Sequence, residues 1–452
     1  MVLDATMAST LTSNVQRDES GFAARNLALT LLLEIDEKSA YANLLVPSQL
    51  RTSTLEARDK AFVTELVYGT LRKEIFYDRV IEQASKRRIK MIDPIPLRIL
   101  RLTAHQLLTL DTPAHAAVDS AVRLTVKNRS GSASGFVNAV SRRISERSQQ
   151  EWLSLLTKGL DETAKLEVEF AHPAWIIKAY QERLGNLERV REELTANNEN
   201  PQVSAVIYPG YEWSTNDLDK TGTWISAARF ITGNPENLVE IKNGTAGIQD
   251  EGSYLVTQAL AQVDTSSEGM WLDMCAGPGG KAALFSRWAI EAGRNFCALE
   301  ISEHRAALIK RVTRNIVIAD GTKPPISQGS AGKILLDAPC SGLGALRRRP
   351  DARLRKKPNQ IPELVAIQRA LIASAVECLA EGGILGYVTC SPLKAETIDN
   401  REWLLQEFPE MTLIDARPFF PSHMTELNSF DIQLWPGLHK TDAMYLALFK
   451  KR

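Results

Sequence analysis

Apolar residues recur at helical spacing through residues 21–148, as Leu27, Leu31 and Ile35; Phe62, Leu66 and Leu71; Ile99, Leu102 and Leu107; Val118, Val122 and Val126; Phe136, Val137 and Val140. That period predicts an all-α bundle. Ahead of it, residues 1–20 are polar and without periodicity, which predicts a disordered tail. From residue 151 to about residue 208 the pattern stays helical, with His172, Pro173 and Trp175 opening a helix that reaches Leu184. Short β-like runs then follow, VSAVIY, ARFITG and LVEIKNG, separated by Gly, Pro and Asn. They predict a small α+β connector, closed by a helix at GIQDEGSYLVTQALAQV. From Gly269 onward nearly continuous apolar runs (MWLDM, NFCALEI, NIVIAD, KILLDA, GILGYVT, then DIQLW and AMYLALF) alternate with helical stretches at 282–290, 304–312, 362–380 and 395–408. Such alternation predicts a mostly parallel sheet covered on both faces. The expected organisation is a tail at 1–20, a helical domain at 21–150, a connector at 151–247 and an α/β domain at 248–452.

A chain of 452 residues suits two or three domains. No apolar run is long enough to span a bilayer, and the start, MVLDATMAST, lacks a basic stretch followed by an apolar one. A cytoplasmic protein without membrane association is expected. Five cysteines, an odd total with no C-x-x-C pair, fit a reducing compartment better than a disulfide framework or a zinc site. No metal is expected, and thiols are available for chemistry. The net charge of zero hides a basic stretch: residues 85–147 hold twelve Lys or Arg against four acids. Charge alone leaves two readings open, a phosphate-binding face and a solvated helical face.

In a sheet of this kind ligands bind beyond the carboxyl ends of the strands. The first end is WLDMCAGPGGKAA, a strand, a glycine turn and a helix start, where a nucleotide-like ligand can lie against bare amides. The spacing matches neither G-x-G-x-x-G nor a triphosphate loop, which disfavours an NAD-dependent oxidoreductase. Glu300 closes the second strand about twenty residues on, where an acid accepts from ribose hydroxyls. Asp320 is either a partner for an adenine amine or a turn aspartate before Gly321. Cys340 and Cys390 each follow a strand and precede small residues, so both point into the crevice, whereas Cys297 and Cys378 read as packing. Lys281 and a helix after Cys340 are candidate sources of the positive charge that activates a thiol.

DMCAGPGGKAA, ALEIS, IADGT, LLDAPCSGLGALRRRPDARLRK and YVTCSP together resemble the RNA 5-methylcytosine methyltransferases of the Nol/Nop/Sun family. DKAFVTELVYGTLR, LRILRLTAHQLLTLDTPAHAAVDSAV and GFVNAVSRRI resemble the NusB-like RNA-binding domain found in front of the Sun/Fmu (RsmB) type. The resemblance runs from about residue 21 to the C-terminus and is weakest between about 190 and 245. It implies a NusB-like bundle, a connector and a Rossmann-like class I methyltransferase domain that uses S-adenosyl-L-methionine on a cytosine of small-subunit rRNA. It also implies a monomer. Carried over residue by residue, Cys390 is the nucleophile, Cys340 assists release, and Asp337 binds the cytosine edge and borders the cofactor, with Lys281 orienting it. Cys275, Ala276, Gly277, Pro278, Gly279, Gly280 and Lys281 cradle the methionine part of the cofactor, Glu300 its ribose and Asp320 its adenine.

The run ALRRRPDARLRKKP after Cys340 carries seven basic residues and one acid. Arg347, Arg348, Arg349, Arg353 and Arg355 are the expected RNA contacts, and the target base must be looped or flipped out to reach Cys390. One departure is Leu393 after T-C-S-P, where many relatives have His; another is a connector without the family's R-V-N segment. Two rival classes remain, a non-catalytic NusB-like RNA-binding or antitermination-type factor and a methyltransferase acting on a substrate other than RNA.

Overall fold

The structure is a computed structural model that describes residues 3–38, 40–214, 221–311, 313 and 315–452, with backbone only for residues 3–18 and 20. The chain forms two compact units, one of Met1–Lys178 with Arg348–Arg355, the other of Ala179–Arg347 with Lys356–Arg452.

The first unit is helical: α1 (Leu3–Glu37), α2 (Ala42–Thr52), α3 (Ala57–Arg72), α4 (Glu74–Ser85), α5 (Pro94–Leu108), α6 (Ala114–Lys127), α7 (Ser134–Ser145), α8 (Gln149–Thr157), α9 (Glu162–Phe170) and the start of α10 (Ala174–Leu184). Residues 3–20, expected as a disordered tail, are helical and continuous with the amphipathic part of α1. Neither Pro nor Gly occurs between residues 3 and 20 to stop propagation; Met1 and Val2 lie outside the described residues. The bundle also runs on through α8 and α9 to Lys178, past the expected boundary at 150, because Trp152 and Val168 join its core. Leu31, Ile35, Leu66, Ile99, Leu102, Val137 and Val140 face that core as their spacing predicts, whereas Val126 is exposed. Two members of the basic stretch are internal. Arg98 pairs with Glu74 at 2.6 Å and also with Asp36, and Arg101 pairs with Glu74 at 2.8 Å and Asp78 at 2.6 Å.

The second unit continues through α11 (Leu187–Ala196) into a small antiparallel sheet of order β2-β1-β3. Its elements are β1 (Val203–Ile207), β2 (Ala228–Ile231), α12 (Val239–Lys242) and β3 (Ala246–Ile248). LVEIKNG, expected as a strand, is α12. It buries Glu240, which accepts from the Ser214 N–H at 3.0 Å, and exposes Val239, the reverse of an inward apolar face. After α13 (Glu251–Gln262) come β4 (Met270–Asp273), α14 (Gly280–Glu291), β5 (Phe296–Glu300), α15 (Glu303–Ile309), β6 (Ile316–Ile318) and β7 (Ala331–Asp337). The chain then enters the first unit for α16 (Ala352–Arg355) and returns as α17 (Ile361–Cys378), β8 (Leu379–Thr389), α18 (Ile398–Glu407), β9 (Met411–Ile414), β10 (Ile432–Gln433), α19 (Pro436–His439) and β11 (Tyr445–Lys451).

Among the described residues the large sheet has the order β10-β11-β8-β7-β4-β5-β6, with β9 also on β11. Strands β4 to β8 are mutually parallel and β11 is antiparallel to β8. Side chains alternate between two apolar layers. Leu335, Val388 and Leu446 pack with Leu260 and Phe285 on one face; Ile334, Leu336, Leu385 and Phe449 pack with Leu371 and Ile372 on the other. The order reverses at β4, with β5 and β6 to one side and β7 and β8 to the other, and ligands bind at such a switch point. Among the described residues no helix is long and apolar enough to cross a membrane.

Candidate active site

Three strand ends meet at the switch point. Beyond β4, the Met274 N–H donates to the Leu335 carbonyl at 3.0 Å and the Ala276 N–H to the Leu299 carbonyl at 2.9 Å, which pins the glycine turn between β7 and β5. Gly277 must be glycine here. Its N–H donates to Glu300 Oε2 at 2.9 Å, and a Cβ would stand 2.2 Å from that oxygen. Gly279 has φ +117°, in the left-handed region, and α14 starts at the next residue. Glu300 is buried at the end of β5 and also accepts from the Ser302 N–H and from Arg305, each at 2.8 Å. Asp320 lies exposed after β6 and accepts from the Thr322 N–H at 2.9 Å and the Thr322 hydroxyl at 2.8 Å, holding its pKa below the usual carboxylate value.

Asp273 ends β4 and is wholly buried. Oδ1 accepts from the Cys275 N–H at 3.3 Å, while Oδ2 has no hydrogen-bond partner. Burial, then the negative charge of Asp337, pushes its carboxyl up to about 8. Burial likewise raises the Cys275 thiol, with the charge of Asp273 next in weight. Lys281, in the first turn of α14, donates to Asp337 Oδ2 at 2.8 Å. Burial alone would lower the Lys281 pKa; the charge and hydrogen bond of Asp337, reinforced by Cys390 and Asp273, outweigh it and hold the ammonium above its ordinary value.

The two thiols come together at the ends of the adjacent strands β7 and β8, with Cys340 Sγ 3.4 Å from Cys390 Sγ. Neither forms a disulfide. The hydrogen bond to Cys390, followed by burial, raises the Cys340 thiol well above its usual pKa. That shift favours the protonated form of Cys340. The positive charge beside them is Lys281; after Cys340 the chain makes only a single turn at Leu343–Ala345 instead of the expected helix. That turn is pinned to the thiol strand. The Gly344 N–H donates to the Cys390 carbonyl at 2.9 Å, and a Cβ on Gly344 would lie 2.3 Å from the Ala443 carbonyl oxygen.

The residues after the turn depart from an open basic loop. Arg347 is buried and binds Asp442 at 3.1 Å, Asp250 at 3.4 Å and the Lys440 carbonyl at 3.1 Å. Arg353, 1% exposed, donates within the first unit to the carbonyls of Arg72 at 2.7 Å and Ala171 at 3.2 Å. Both guanidinium groups are committed to the protein's own acceptors and are withdrawn from any phosphate. Arg355 is partly covered, paired with Asp351 at 3.0 Å and the Ala40 carbonyl at 2.6 Å, while Arg348 and Arg349 are half-buried.

Beneath the thiols lies a cluster that motif reading passed over. The Glu396 carboxylate, 0% exposed, accepts from the Ser341 N–H at 2.8 Å and from the hydroxyls of Ser341 and Ser391, both at 2.5 Å. Gln368 Nε2 donates to it at 3.1 Å and to the Pro339 carbonyl at 2.9 Å. The available signal was an acid shortly after T-C-S-P.

Comparison with known proteins agrees with this architecture. The family described as 16S rRNA methyltransferase RsmB/F matches residues 259–450, and the NusB family matches residues 23–146. A Mycobacterium tuberculosis (strain H37Rv) protein named "Putative methyltransferase Rv1407" is 37% identical over 446 residues, covering 95% of this chain and 96% of its own. The ribosomal RNA small subunit methyltransferase B of Citrobacter koseri is 28% identical over 453 residues, covering 95% of this chain and 99% of its own. The crystal structure of PH0851 superposes with a TM-score of 0.77 at 21% identity, over 96% of this chain and 98% of that one, and thus shares the fold. The chain belongs to the RsmB/F family of 16S rRNA methyltransferases, with a NusB-family domain ahead of its S-adenosylmethionine-dependent catalytic domain.

Proposed function

We propose that the chain methylates carbon 5 of a cytosine in small-subunit rRNA through a transient bond between Cys390 and the base. The observation that carries this reading is the 3.4 Å approach of the Cys340 and Cys390 sulfurs beside the Lys281–Asp337 pair. Carbon 5 of cytosine is a weak nucleophile. Addition of the Cys390 thiolate to carbon 6 forms a C–S bond and turns the C5=C6 pair into an enamine with a nucleophilic carbon 5. Asp337, fixed by Lys281, holds the ring edge and favours its protonation, which makes carbon 6 more electrophilic.

Bound S-adenosylmethionine supplies an electrophilic methyl group on a sulfonium. The glycine turn fits it, because Gly277 leaves no Cβ against Glu300 and Asp273 keeps a buried oxygen without a partner. Cys275 to Lys281 would hold its methionine part, Glu300 its ribose and Asp320 its adenine. Once carbon 5 carries the methyl group, its proton passes to solvent water, the C–H electron pair restores the C5=C6 bond, and Cys390 departs as thiolate. Cys340, a thiol at that moment, donates toward the departing sulfur and eases release. The helical unit and the half-buried Arg348 and Arg349 are read as RNA contacts, with the target base turned out of its stack.

The test is bisulfite mapping of 16S rRNA from cells with and without this protein. One cytosine is expected to lose its 5-methyl group and regain it on complementation; an unchanged map overturns the reading.

A further inference from the structure

We propose that Glu396 is a positioning residue that sets the distance between the two sulfurs by clamping together the loops that carry them. The inference rests on the cysteine chemistry proposed above. Each cysteine is followed by a serine, and the hydroxyls of Ser341 and Ser391, 3.1 Å apart, converge on the same Glu396 oxygen at 2.5 Å. The other oxygen takes the Ser341 N–H and the Gln368 amide.

The two loops end different strands, and a buried carboxylate is acceptor-only, so it can draw two hydroxyls and an amide to one point. The surroundings over-determine it. Tyr387 donates to the Glu396 carbonyl at 2.8 Å, and Asn400 donates to Tyr387 at 2.9 Å and to Gln368 Oε1 at 2.8 Å. Gln368 in turn holds Pro339, the residue before Cys340. A satisfied buried network of this kind fixes one geometry. Glu396 has no hydrogen bond to either sulfur; it acts through Ser341 and Ser391, which follow the two cysteines, and through Gln368 on Pro339.

The expected consequence is selective. In Glu396→Gln the amide must turn its N–H groups either toward the two hydroxyls or toward the Ser341 N–H and the Gln368 amide, which loosens one loop. Displacement by about 1 Å costs on the order of 100-fold in turnover. The experiment measures kcat and KM for rRNA and for S-adenosylmethionine in the full-length protein. In parallel, the ligand-free protein reacts with a bifunctional reagent that fluoresces only when it bridges two thiols. Glu396→Gln should lose about 100-fold in kcat with both KM values within about twofold of the parent, and bridging of Cys340 to Cys390 should slow at least about tenfold. The Ser341→Ala/Ser391→Ala double variant should reproduce both effects and carries the test should Glu396→Gln fail to fold. Parental kcat and bridging in folded variants overturn the clamp, as does a KM effect alone. Loss of bridging in a protein whose parent methylates no cytosine upholds the clamp while overturning the proposed reaction.

Discussion

Cys340 and Cys390 lie fifty residues apart in sequence with their sulfurs at 3.4 Å, and the hydrogen bond to Cys390 raises the pKa of the Cys340 thiol. Removing either should therefore fail differently. Cys390→Ser should reduce methyl transfer by on the order of 1,000-fold or more and form no adduct. Cys340→Ala should leave addition intact and slow release, seen as a protein–RNA band that survives denaturing electrophoresis. Equal rates for Cys390→Ser and the parent would end the proposal.

The Lys281–Asp337 pair gives a pH signature. Asp337→Asn removes the charge that outweighs burial at Lys281, so the ammonium should titrate at lower pH and the alkaline limb of any rate profile should move down. Stability should fall by about 1 kcal/mol, since the pair is only partly buried and Asn keeps a hydrogen-bonding oxygen. An unmoved alkaline limb and an unchanged denaturation midpoint would contradict this.

Asp273 should make the ligand-free protein less stable as pH rises. Its folded-state pKa of about 8 lies above the ordinary value, so between the two the folded protein keeps a proton that the unfolded chain has lost. Stability then declines by about 1.4 kcal/mol per pH unit and levels off above the folded pKa. Asp273→Asn should abolish this decline, and its advantage over the parent in guanidinium unfolding should be larger at pH 8 than at pH 5. An equal advantage at both would refute the assignment.

Arg353→Ala should cost about 3 kcal/mol, since it strips a charged donor from two carbonyls and leaves a void. Arg349→Ala, at a half-buried position, should stay within about 0.5 kcal/mol of the parent. Comparable losses in the two denaturation curves would show that burial does not separate these arginines.

The parallel strands were readable because continuous apolar runs stop abruptly at Asp273, Glu300, Asp337 and Thr389, and the strands end at those residues. Motif residues were legible for the same reason. What failed depends on partners distant in sequence. Seven basic residues after Cys340 look alike on paper, yet Asp442 claims Arg347 and the carbonyls of Arg72 and Ala171 claim Arg353. Glu396 carries no marker of its own, since its role comes from two serines that only the folded sheet brings together. The short strand β9 and the turn of α12 are too brief for a period to separate helix from strand.

The excursion of residues 348–355 into the first unit also orders events during synthesis. The ribosome completes Lys178 long before it delivers Arg353, and at ordinary elongation rates the wait is on the order of ten seconds or more. Through that interval the nascent bundle lacks the donors that Arg353 and Arg355 supply to the Arg72, Ala171 and Ala40 carbonyls. Maturation of the amino-terminal half is thereby made to wait for translation of the segment just beyond Cys340.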